Sequence, residues 1–131
     1  MLWFGWYGFN CGSALIVDNE KSAGVISLIA VNTTLGGASG CVSALFLSVF
    51  LTERRTGEYV FDVIYAMNGT LTGLVSITAG CAVVEPWAAI FIGFVGGILY
   101  TVSSKLLVRY VVNFFHPCSY ISMDSDQSTL K

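Results

Sequence analysis

Trp6, Phe9, Asn10 and Ser13 stand at i, i+3, i+4 and i+7 in the opening stretch MLWFGWYGFNCGSALIV, which places them on one face of an α-helix. Ring faces attract positive charge and a hydroxyl oxygen accepts a hydrogen bond, so this combination suits recognition of a small cation. The same face also serves as an interfacial aromatic belt with core packing, and spacing alone favours that simpler reading.

Other chemistries find no residues to perform them. The four cysteines, Cys11, Cys41, Cys81 and Cys118, lie far apart without a CxxC, and His116 is the one histidine, which gives a metal site no support. There is no GxSxG, no phosphate loop and no pair of carboxylates within an apolar stretch, so neither an enzyme nor a cofactor is expected. GGASG at 36–40 is glycine-rich, but it sits inside an apolar run, where packing explains it better than a phosphate cradle.

The elements that position the opening face must be membrane helices. Apolar residues make up 55% of the 131-residue chain and charged ones 11%, against roughly a quarter charged in a soluble domain. A net charge of -2, scattered along the chain, excludes nucleic acid as a natural partner and leaves lipid and other helices. Four uncharged stretches follow one another: Met1 to Val17, Ala23 to Thr52, Val63 to Val84, and Trp87 to Ser104. Since about 20 residues rising about 1.5 Å each cross a hydrocarbon core of about 30 Å, the third and fourth read as spans. The second is long enough to tilt or kink, and the first is marginal. None shows the short alternating segments of a membrane barrel, so the fold class is all-α, a polytopic membrane helix bundle.

The first stretch lacks the basic region of a signal peptide, and Gly5, Gly8, Asn10 and Gly12 interrupt it. It reads as the second half of a helix whose beginning is missing, which makes the chain an expected fragment. Lys21 alone follows the first stretch and no basic residue flanks Glu85, whereas Arg54 and Arg55 follow the second stretch and Lys105 and Arg109 the fourth. The positive-inside rule therefore puts both chain ends and the ERRTGEY loop in the cytoplasm. It puts the Asp18–Lys21 loop and the Glu85-Pro86 turn outside.

Gly36 and Gly40, Gly69 and Gly73, and Gly93 and Gly97 form one GxxxG in each of the last three stretches, the spacing that lets helix backbones approach closely. Asn32, Thr33, Thr34, Asn68, Thr70, Thr72, Ser76 and Thr78 would be costly against lipid and are expected to face protein or a cavity. Asn32-Thr33-Thr34 and Asn68-Gly69-Thr70 fit the glycosylation sequon, but a glycan needs a surface loop and both lie within spans.

WFGWYGFNCGSAL at 3–15 resembles the WFGWFGFNxGSA signature of the ammonium transporters, the Amt, Mep and Rh superfamily, where it forms the outer half of the sixth of eleven helices. VNTTLGGASG at 31–40 resembles the seventh helix, and NGTLTGLVSITAGCAVVEPWAAIFIG at 68–93 resembles the eighth, its outer turn and the start of the ninth. The likeness covers about residues 1–109 in the family's order, and the charge-derived orientation agrees with the family's.

The resemblance implies one part of an eleven-helix inverted-repeat channel, assembled as a homotrimer in the plasma membrane. It implies an outer vestibule that recruits ammonium, stacked phenylalanines that gate it, and a narrow apolar pore with two histidines that conducts ammonia. By the resemblance, Phe9 matches one gate phenylalanine, Ser13 the vestibule serine that accepts a hydrogen bond from ammonium, and Thr78 the vestibule threonine. Trp6 matches a tryptophan of the same helix. The partner phenylalanine, the vestibule tryptophan and the first pore histidine belong to family helices without a counterpart here.

Beyond Arg109 the family's VHGVCG-like helix has no match: YVVNFFHPCSYISMDSDQSTLK stands instead, and His116, followed by Pro117, is not equated with the second pore histidine. Residues 110–131 are expected to be a divergent, partly disordered tail. The resemblance implies ammonium transport for the parent protein, and the alternative is a non-transporting product that binds full-length transporter subunits.

Overall fold

The computed structural model describes residues 2–14 and 20–128, with side chains described at 2–14, 22–55 and 57–114. The expectations placed on the Asp18–Lys21 cluster, His116 and Cys118 lie outside the described residues and side chains. The described chain is all-α: α1 Leu2–Gly12, α2 Glu20–Thr56, α3 Val63–Thr78 and α4 Pro86–Ser128. It divides into two compact units, Met1–Thr101 and Val102–Lys131. In the second unit the backbone is helical to Ser128, and Leu106, Leu107, Val108 and Tyr110 present exposed apolar surface.

Local chemistry fixes where the helices stop and start. Arg54 and Arg55 in the last turn of α2 complement the negative end of its dipole. Gly57, at φ 72°, then takes the left-handed conformation that closes the helix, and its N–H donates to the Glu53 carbonyl at 2.8 Å. Asp62 caps α3 by accepting from the Ile64 N–H at 2.9 Å. Pro86 opens α4, where its missing N–H costs nothing, and the Glu85 carbonyl accepts from the N–H groups of Ala88 and Ala89.

The apolar stretches and the helices differ in length. Ser22–Arg55 and Pro86–Phe114 are long and apolar enough to cross a membrane. The 16 residues of α3 reach about 24 Å and the 11 of α1 about 16 Å, both short of a hydrocarbon core of about 30 Å. Of the four expected spans, helix length alone therefore supports two. The third apolar stretch runs to Val84, but its helix ends at Thr78 and 79–83 form turns. The carbonyls of Cys81 and Val84, which a continuing helix would have used, are taken by the Asn32 side chain of α2 at 2.9 and 2.8 Å.

All three GxxxG motifs meet in one place. A methyl group on Gly40 would lie 2.6 Å from the Gly69 carbonyl oxygen and 2.8 Å from the Gly73 Cα, and one on Gly73 would strike the Gly36 carbonyl. From α4, methyls at Gly93 and Gly97 would strike the same carbonyls of Gly36 and Gly40 and the hydroxyls of Ser39 and Ser43. Two helices thus press against α2 backbone to backbone, an approach that only glycine permits and that dispersion and weak polar contacts stabilise where lipid gives no hydrophobic drive.

Polar side chains share the interior with apolar ones: Asn10, Asn32, Thr33, Ser43, Ser48 and Thr101 are buried beside Ile29, Leu74 and Ile77, while Phe4, Phe46, Phe61, Val75, Phe91 and Leu99 are exposed. Hydroxyls bond the carbonyl one turn back, as Thr70 does with Ala66, Thr72 with Asn68 and Ser76 with Thr72. Such a surface is stable in lipid and unstable in water, because apolar side chains need no partner in hydrocarbon whereas polar ones do.

Candidate functional site

The residues singled out on α1 come together with α3 through a chain of contacts. The Trp6 indole Nε1 donates to Thr78 Oγ1 at 2.9 Å, joining two residues 72 positions apart. The Phe9 ring meets the Trp6 ring edge-on, centroids 6.4 Å apart and planes at 61°. Ser13 Oγ donates to the Phe9 carbonyl at 2.6 Å. Trp6, Phe9, Ser13 and Thr78 are thus linked in sequence, Thr78 to Trp6 to Phe9 to Ser13.

Asn10 parts from the other three residues of its face. It is 3% exposed and its Nδ2 donates to Thr33 Oγ1 of α2 at 3.0 Å, while Phe9 is 62% exposed. The single stripe read from the spacing therefore splits into an inward anchor, Asn10, and an outward pair, Phe9 and Ser13. Sequence reasoning missed Tyr7, whose hydroxyl pairs with Thr34 Oγ1 at 2.7 Å and ties the other edge of α1 to α2. A tyrosine among five aromatics carried no signal that set it apart.

The hydroxyls in this chain of contacts have a definite polarity. Ser13 commits its proton to the Phe9 carbonyl, and Thr78 commits its own to the Leu74 carbonyl at 2.7 Å. A hydroxyl that has donated its proton presents its oxygen as an acceptor. The arrangement therefore receives N–H donors and disfavours anions, which need a donor. Phe9 adds an exposed ring face beside it, suited to a cation.

Comparison with known proteins decides the family. The Ammonium Transporter Family model matches residues 1–122. The chain belongs to the ammonium transporter family. Ammonium transporter 3 of Dictyostelium discoideum is 39% identical over 111 residues, covering 85% of this chain and 24% of the relative. Ammonium transporter Amt2 of Archaeoglobus fulgidus is 43% identical over 101 residues, 77% of this chain and 19% of its own. Ammonium transporter 1 member 2 of Arabidopsis thaliana is 44% identical over 103 residues, 72% of this chain and 19% of its own. The chain thus spans about a fifth to a quarter of the length of these relatives. No solved structure matches it. These relatives are ammonium transporters by name, which agrees with the two membrane-length helices and the exposed apolar side chains of this chain.

Proposed function

We propose that this chain supplies the outer recruitment face and part of the pore wall of an ammonium transporter in the plasma membrane. The observation that carries the reading is the contact chain from Thr78 through Trp6 and Phe9 to Ser13, with both hydroxyl protons already committed to backbone carbonyls. Ammonium has four N–H donors and no acceptor, the complement of such a surface. The Phe9 ring face offsets part of the hydration the cation loses as it leaves water, by about 0.5–2 kcal/mol for a cation over an aromatic ring. An apolar passage beyond it disfavours the charged form and lowers the amine's pKa, so ammonium drawn inward tends to shed its proton. Alkali cations have none to shed.

The exposed apolar faces of the helices fit lipid and further protein, and the reading places the chain in a homotrimer or in an assembly with full-length transporter subunits. The test is uptake of labelled methylammonium by such an assembly carrying Ser13→Ala, Phe9→Ala or Thr78→Val. Ser13→Ala is expected to weaken recruitment by about 0.5–1.5 kcal/mol, a several-fold loss at limiting substrate. Thr78→Val, which also strips the Trp6 indole of its acceptor, is expected to lose more. Unchanged uptake in all three variants would leave these residues as packing only.

A further inference from the structure

Three consecutive α2 residues reach three different targets. Asn32, fully buried, donates through Nδ2 to the carbonyls of Cys81 and Val84 in the turn after α3. Thr33, also fully buried, accepts from Asn10 of α1 and donates to the Ile29 carbonyl at 2.7 Å. Thr34 pairs with Tyr7 of α1 and donates to the Ala30 carbonyl at 2.8 Å. The Trp6–Thr78 bond joins α1 directly to the last residue of α3. These contacts close a ring: α2 holds α1 at two points a turn apart and holds the turn that follows Thr78, so the two groups that meet in the Trp6–Thr78 bond are each positioned from α2.

We propose that Asn32 and Thr33 are positioning residues for the recruitment site, acting through Trp6 and Thr78 without touching the substrate. The proposal rests on the functional reading above. Helix packing alone does not fix the meeting of Trp6 and Thr78. The glycine contacts set the distance between α2 and α3, but Gly5, Gly8 and Gly12 have nothing within 4 Å, so α1 has no such backbone seam to locate it. Apolar contacts of Trp3 beside Gly37 and of Cys11 and Ala14 against the core hold α1 close to α2, and the side-chain bonds to Thr33 and Thr34 add directional restraints on its azimuth and height. Beyond Thr78 the chain turns, and the Asn32 amide holds the middle and the end of that turn through Cys81 and Val84. Both amide protons of Asn32 are used, so no other residue type of its size makes the same two donations to carbonyls within one buried volume: Asp lacks the protons and Leu lacks the polarity. Thr33, by contrast, has clean replacements in both directions, since Val keeps its shape without the hydroxyl and Ser keeps the hydroxyl.

The experiment follows the Trp6 indole N–H by NMR in the 131-residue chain in micelles, assigned with Trp6→Phe. Trp87, whose indole donates to Glu85 Oε2 at 2.7 Å and makes no bond to α1 or to Thr33, serves as internal reference for the Thr33 variants. Thr33→Val and Asn32→Leu are expected to speed hydrogen exchange of the Trp6 indole at least ten-fold, with that of Trp87 unchanged in Thr33→Val, while Thr33→Ser restores the parent rate. Titration with ammonium chloride against sodium chloride supplies the second readout. The half-saturating concentration for the Trp6 shift is expected to rise several-fold in Thr33→Val and to return in Thr33→Ser, a pattern that a general loss of folded protein would not give. Unchanged Trp6 exchange in both Thr33→Val and Asn32→Leu, with helix content preserved, overturns the proposal. If variants alter exchange as expected but even the parent gives no ammonium response, the positioning stands and recruitment by this chain without partner subunits is refuted.

Discussion

Replacing Gly73 by Ala tests the helix crossing on which the rest is built. A Cβ there would strike the Gly36 carbonyl and lie 3.2 Å from the Gly40 Cα, both backbone atoms that cannot rotate aside. Overpacking costs about 1–3 kcal/mol, and an obstacle of backbone on the facing helix puts this site at the upper end, about 3 kcal/mol. Alanine's better helix propensity returns at most about 1 kcal/mol, which leaves a net loss of about 2 kcal/mol. Gly24, on the same long α2 helix as the facing glycines, has nothing within 4 Å. Gly24→Ala should therefore keep the propensity gain alone. The two variants should differ by about 3 kcal/mol, roughly two powers of ten in the folding equilibrium. The measurement is SDS titration of the chain in mild-detergent micelles, followed by tryptophan fluorescence with far-UV dichroism recorded in parallel. If Gly73→Ala and Gly24→Ala unfold at the same SDS fraction, the glycine seam carries no stability and the packing argument is wrong.

Cysteines placed singly at Glu58 and Val83 on a Cys-free background lie at opposite ends of α3, and an impermeant reagent on intact cells is expected to label Val83→Cys alone; labelling of Glu58→Cys instead would invert the topology. Tyr59, in the loop between α2 and α3, has its pKa raised above the ordinary 10.0 because its hydroxyl hydrogen-bonds Glu53 and faces that residue's negative charge. The contact needs the protonated phenol, so it is present below the usual phenol range and is lost as pH climbs through the raised value. Difference absorbance between the chain and Tyr59→Phe should show a late-titrating phenol that Glu53→Gln brings back toward 10.0, and an unshifted titration in both would deny the contact. The 131-residue chain alone is expected not to rescue cells stripped of their ammonium transporters, since it spans about a fifth to a quarter of the length of its transporter relatives; rescue abolished by Phe9→Ala would show that it conducts unaided.

The helical class and the glycine seam were legible in the sequence because both follow from periodic or local rules: uncharged length, and small residues four apart. The polar residues of the spans were legible only in part. That Asn10, Asn32 and Thr33 would avoid lipid follows from the cost of an unpaired polar group, and all three are buried. Which partner each finds does not follow, because Asn32 meets carbonyls 49 and 52 residues away and the Trp6–Thr78 bond spans 72. The α3 helix ends six residues before the apolar stretch does: Ala79 to Val84 are apolar enough for a span, but Gly80 and Pro86 weaken a helix there and the Asn32 side chain from α2 takes up the freed carbonyls of Cys81 and Val84.

One rule connects the lipid environment to the chemistry proposed for the site. In hydrocarbon a serine or threonine satisfies itself most cheaply by donating to the carbonyl a turn earlier, as Thr33, Thr34, Thr70, Thr72, Ser76, Thr78 and Thr101 all do. That bond fixes where the proton goes and leaves the oxygen as an acceptor. A membrane helix that hides its hydroxyls from lipid has therefore already prepared them to receive a donor. At Thr78 the Trp6 indole takes up one acceptor position and at the same time fixes the height of the oxygen. Acceptor oxygens by themselves also suit alkali cations, so an outer face built this way recruits by charge and hydrogen bonding without discriminating sharply among cations of similar size. Discrimination has to come where the apolar passage penalises charge, because there the cation that can leave its proton behind escapes a cost that a metal ion cannot. The recruitment face needs only to hold its acceptors still, and the bonds from Asn32, Thr33 and Thr34 are placed to do that.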